Sequence, residues 1–130
     1  MDICSQAIGH WAQAMAFVGL GETEQSWQQF LSASEFFVNW GWDARATWIL
    51  PVLGIILARQ GRPERAVEIL SLYFNHPNRP IGFAEGWPLL SEWQARLQES
   101  LGPEGFRAAW ERGRELDLVA AIGGYLDERE

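Results

Sequence analysis

"ARQGRPERAVEIL", residues 58–70, decides the fold. Gly61 closes a strongly apolar run, Pro63 opens a second run of helical period, and only Arg62 stands between them. Glycine accepts the left-handed conformation that ends a helix. Proline at a first helical position loses nothing, because its missing N–H would have had no partner there. The stretch therefore predicts one helix ending and the next beginning within three residues, which makes an antiparallel hairpin. "SLGPEGFRAAW", residues 100–110, repeats the arrangement, with Pro103-Glu104 answering Pro63-Glu64.

Working outward, the rest of the chain reads as helix, with no alternating strand pattern of useful length. Helices are expected over roughly 3–19, 22–38, 44–60, 63 to the start of "NHPNRP", 87–101 and 103–114, with Asp117 capping a last one. The turn recurs every forty residues at Gly21, Gly61 and Leu101-Gly102. Ala14, Phe17, Ser26 and Phe30 are answered by Gly54, Leu57, Ala66 and Leu70, whereas polar Gln13 stands opposite Leu53. In the third unit Trp93, Leu97 and Trp110 keep register, but Gln94 and Phe106 fill the slots held elsewhere by small residues. A fixed period of two helices implies an all-α, right-handed α-solenoid. The expected single domain spans 1–130, with units at about 3–40, 43–77 and 87–115 and a capping helix at 117–127.

Composition bounds the function. The chain has 130 residues, 48% of them apolar, enough for one domain with its own core. The longest apolar block, Trp48 to Ala58, falls short of the ~20 residues a membrane span needs, so no membrane role is expected. The N-terminus, "MDICSQ", lacks the basic region of a signal peptide, and a single cysteine, Cys4, forms no internal disulfide; both favour the cytoplasm. The net charge is −7, and all ten basic residues are Arg. No basic face is available to neutralise phosphates, so nucleic acid is not an expected partner.

The pair Leu53-Gly54, followed by Leu57, Gly61, Ala66, Leu70 and Tyr73, resembles a tetratricopeptide repeat. The forty-residue period is similar to the longer variant in sensor arms of bacterial STAND-type ATPases and related transcriptional regulators. The tail "LGPEGFRAAWERGRELDLVAAIGGYL" resembles the ending of such arms through Leu101, Gly102, Phe106, Trp110, Gly113-Arg114, Leu116, Leu118 and Ala121. Arg62, where a polar cap is usual, and the insertion "NHPNRPIGFAEG" depart from the pattern. The resemblance implies a sensor segment without its nucleotide-binding engine. No G-x-x-x-x-G-K-[ST] occurs, and a chain without Lys supplies no phosphate-binding lysine. The apolar face of the first helix (Ile3, Ala7, Trp11, Ala14) has no polar helix before it, so the chain reads as the C-terminal end of a longer protein.

Eight tryptophans mark the candidate surfaces. Trp93 and Trp110 fall on core positions of the repeat, and Trp40 and Trp42 flank a turn as wedges between units. Trp11 and Trp48 lie about one helical turn apart in repeat phase, on the side of each first helix that lines the concave groove of a tetratricopeptide solenoid. Met15, Ile55 and Arg59 fall on that side too, giving a groove suited to an apolar protein or peptide. Two other readings stand beside it. The tryptophans hold a small-molecule inducer, or the face is covered by upstream repeats or by self-association. Phe83 and Trp87, in the long insertion, either tuck back onto the helices or form a recognition loop. Pro51, inside the third predicted helix, implies a kink or a carbonyl freed for a ligand. His10, His76 and Cys4 have no catalytic partners, and the carboxylates Glu22/Glu24, Glu64/Glu68 and Glu111/Glu115 read as helix starts or solvated faces beside Arg. No catalytic residue, cofactor or metal is expected.

Overall fold

The computed structural model describes residues 3–40, 44–77, 82 and 86–128. The described residues are helical: α1 (Ile3–Gly19), α2 (Thr23–Trp40), a 3-10 segment (Ala44–Ile49), α3 (Leu50–Arg59), α4 (Pro63–Asn75), α5 (Pro88–Arg114) and α6 (Leu118–Glu128). None of these helices is long and apolar enough to cross a membrane.

The hairpin turns follow from local chemistry. Gly21 and Gly61 take φ of 80° and 77°. At the first turn the N–H groups of Gly21 and Glu22 donate to the carbonyls of Val18 and Phe17, at 3.2 and 2.9 Å. At the second, Gly61 and Arg62 donate to Ala58 and Leu57, at 3.2 and 3.0 Å. Each bond of one turn has its counterpart forty residues on. Both turns close the carbonyls that a helix end leaves unpaired. Pro63 occupies the first turn of α4 without a side-chain cap from Arg62. The third turn is tighter. α5 continues in length, but its backbone leaves the helical region at Gly102 (φ 73°, ψ 168°), just before Pro103, so α5 is two helical halves joined at one residue.

Pro51 corrects the sequence reading. The chain enters the third helix through the 3-10 segment, and α3 starts only at Leu50, which puts Pro51 in its first turn. There the ring displaces no hydrogen bond from the interior of α3, so the helix is not interrupted at Pro51. α3 is the centre of the molecule: every residue from Leu50 to Leu57 is buried. It packs against α1, α2, α4 and α5.

α6 holds the second surprise. Asp117 caps it as expected, its Oδ2 accepting from the Ala120 N–H at 3.0 Å. The helix then reaches back beyond the third hairpin. Tyr125 meets Trp27 of α2 edge-on at 6.5 Å, and the Arg62 guanidinium lies 5.6 Å from the Tyr125 ring. Ile122 and Tyr125 are buried by this return. The last helix thus contacts the first hairpin as well as the chain beside it.

Candidate functional site

The five residues expected to share one groove are placed in three different settings. Trp11 and Trp48 do come together. The Trp11 indole N–H donates to the Trp48 carbonyl at 2.8 Å, and the rings sit 5.3 Å apart, tilted by 53°. Both side chains are half-buried, and Met15 packs one turn further along α1 at the edge of the core. With the Trp11 N–H already bonded, the exposed area of the pair is mostly the faces and edges of two aromatic rings, an apolar surface.

Ile55 does not belong to that surface. It is 0% exposed, because α3 is enclosed on the side that the repeat phase assigned to the groove. Arg59 sits about 16 Å along the helix from Trp48 at the usual rise per residue, and it is engaged elsewhere. Its guanidinium donates to the Val18 carbonyl at the end of α1 and lies 5.5 Å from the Trp93 ring. Burial, and then the nearby Arg96, lower its pKa below the usual arginine value, while Glu92 opposes them. Arg59 therefore ties α1 to α3 and α5. Trp93, expected in the core, is half-buried, with Arg96 on its ring at 4.8 Å as well as Arg59. Trp87 is half-buried and packs against the core at the entrance to α5, whereas Phe83 and Trp42 lie outside the described residues.

Two features escaped the sequence reading. Glu68 is buried at 7% exposure, not on a solvated face. Its carboxylate accepts from Arg65 at 3.2 Å and from Arg112, on α5, at 3.1 Å. Arg112 also reaches Glu64 at 3.5 Å. The i,i+3 partner was legible, but the one 44 residues away was not. His10 is likewise tied to a neighbour: its Nδ1 lies 2.6 Å from the Gln29 side-chain oxygen of α2. His76 ends α4, its N–H donating to the Tyr73 carbonyl. Among the described residues no three His, Cys, Asp or Glu side chains converge as a metal site requires.

The second feature is a cleft, and it opens in the third hairpin. In the first hairpin Ser26 and Ala14 are both buried, and the Ser26 hydroxyl donates to the Ala14 carbonyl at 2.8 Å. In the second, Gly54 faces Leu70 so closely that a Cβ there would stand 2.7 Å from Leu70 Cδ2. In the third, Gln94 and Phe106 replace the small residues, and a cleft of about 370 Å³ separates the two halves of α5. Gln94, Gln98, Phe106, Arg107 and Trp110 line it. Trp110, expected in the core, is half-buried at its wall, stacked between Phe106 at 5.8 Å and Phe74 at 6.0 Å. Side chains of this size do not permit the close approach that Ser26 makes to Ala14 and Leu70 to Gly54.

No protein-family model, no curated protein and no solved structure matches the chain.

Proposed function

We propose that the chain is a non-enzymatic interaction module, a tetratricopeptide-like helical-repeat segment of the sensor arm of a STAND-type signalling ATPase, which binds a protein or peptide. Two turns with the same hydrogen bonds forty residues apart support the repeat reading, since a solenoid is one supersecondary unit reused. The observation that carries the binding reading is the Trp11–Trp48 pair, half-buried at the junction of the first two hairpins, its rings held together by the Trp11 N–H on the Trp48 carbonyl. Tryptophans so placed are strong anchors for an apolar partner. The groove is shorter than the sequence phase implied, because Ile55 is enclosed and Arg59 is held by Val18 and Trp93. It comprises Trp11, Met15 and Trp48.

The test is a peptide array of sequences with single apolar anchors, probed with the wild-type chain and with Trp11→Ala and Trp48→Ala. Binding that both variants lose while their melting curves stay cooperative supports the reading. Binding that survives both substitutions places the partner elsewhere.

A further inference from the structure

We propose that the cleft between the halves of α5 is a binding site for a small planar aromatic carboxylate. The assignment does not rest on the Trp11–Trp48 reading, because it uses a different hairpin and none of the same residues.

The volume comes first. About 370 Å³ falls within the range of small-molecule sites, and the cleft is open to solvent. Its walls differ in chemistry. One is aromatic: Phe106 and Trp110 are nearly parallel, 19° apart, and Phe74 extends the stack at 29°. A flat ring continues such a stack with little loss of freedom. The other wall carries Gln94 and Gln98, one helical turn apart on the same face, each with amide donors and an acceptor.

Arg107 sets the charge of the ligand. Among the described residues Arg65, Arg96, Arg112 and Arg114 each pair with a glutamate, and Arg59 and Arg62 lie over aromatic rings. Arg107 pairs with none of these partners, although Glu104 and Glu111 stand three and four residues away on the same helical half and the chain carries a net charge of −7. A guanidinium left unpaired in an acidic protein, beside an aromatic wall, complements one anion. Its planar fork matches the two oxygens of a carboxylate, and a single fork suits that monoanion better than a phosphate dianion. The ring then packs against the aromatic wall that Phe106 and Trp110 form, the carboxylate meets Arg107, and the glutamines bond the polar edge.

The experiment is calorimetric titration of the full chain with indole-3-acetate, indole and glutarate, repeated on Arg107→Gln. Indole-3-acetate should bind one to one. Indole, lacking the carboxylate, and glutarate, lacking the ring, should each bind at least about tenfold more weakly, as should indole-3-acetate to Arg107→Gln. Arg107 is exposed and unpaired, so that variant should melt with the wild type. Gln94→Ala provides a second variant, expected to weaken binding by a smaller factor. No heat from indole-3-acetate up to millimolar concentration overturns the proposal, and so does equal binding to Arg107→Gln or equal binding of indole. Sedimentation showing a dimer that Arg107→Gln dissociates would give the cleft to a second copy of the chain and likewise overturn it.

Discussion

Gly113 of α5 lies flush against the backbone of Glu68 in α4: a methyl group on Gly113 would run into the Glu68 carbonyl oxygen and come within 2.6 Å of Ser71 Cβ. Next to it the Ser71 hydroxyl donates to the Trp110 carbonyl at 2.6 Å, so the two helices are fixed at close range. Gly113→Ala should therefore destabilise the fold by about 1–3 kcal/mol, although alanine ordinarily favours a helix by up to about 1 kcal/mol over glycine. Chemical denaturation measures the sign, and a stabilised variant would show that the two helices separate freely.

Glu68 and Arg112 should be energetically coupled. The carboxylate is buried while the guanidinium is half-exposed, so the pair lies between a surface ion pair and a buried one. A double-mutant cycle with Glu68→Gln and Arg112→Gln should give a coupling of about 0.5–1.5 kcal/mol. The exposed pair Glu92–Arg96 should give less, at about 0.5 kcal/mol or below. Coupling of equal size at both sites would show that burial of Glu68 adds nothing.

Gly54→Leu should overpack the second hairpin. The first added carbon already meets Leu70 Cδ2 at 2.7 Å and Leu70 Cγ at 2.9 Å, and Leu70 is itself buried. The expected cost is about 1–3 kcal/mol, read as a lower melting temperature. An unchanged melting temperature would remove the evidence for a close approach.

Pro51→Ala distinguishes the first turn of a helix from its interior. In the interior, replacing proline would relieve about 3 kcal/mol of strain. At its observed place in the first turn of α3, the substitution should instead cost up to about 1 kcal/mol, because the unfolded chain gains freedom. Thermal melting with a clear stabilisation would put the residue back inside the helix.

Trp48→Ala should be milder than Leu53→Ala. Leu53 is fully buried at the centre of the molecule, and its truncation is expected to cost about 2–5 kcal/mol. Trp48 is half-buried, and its backbone carbonyl still accepts the Trp11 N–H after the side chain is gone. Equal losses from the two substitutions, read by urea denaturation, would make Trp48 a core residue and remove the proposed peptide anchor.

Of the candidate groove, the sequence brought Trp11 and Trp48 to one place through their repeat phase, and the structure joins them by an indole N–H on a carbonyl. The same phase placed Ile55 and Arg59 wrongly. Phase says which residues share a side of a helix, but exposure of that side depends on what packs against it. α3 is enclosed by four other helices, so its nominal outer side is interior. The third hairpin is the converse case. Gln94 and Phe106 were visible as departures from the small-residue slots, but that the departure opens a cleft required the two halves of α5 in space.

The sequence by itself determined the turns and all the helices but the start of α3, which a 3-10 segment precedes. Left-handed closure at Gly21 and Gly61, the positive φ of Gly102, the prolines at the starts of α4 and α5, and the Asp117 cap are set by φ preferences and hydrogen bonds spanning at most five residues. The groups that decide them are adjacent in the chain. Tertiary structure alone decided the burial of Glu68 against Arg112, the grip of Arg59 on Val18 and Trp93, and the return of Tyr125 to Trp27. Those contacts join residues from 34 to 98 positions apart, as from Arg59 to Trp93 and from Trp27 to Tyr125. Their energies come from desolvation and close packing, which depend on every helix that shares the space and not on the local run that carries each residue.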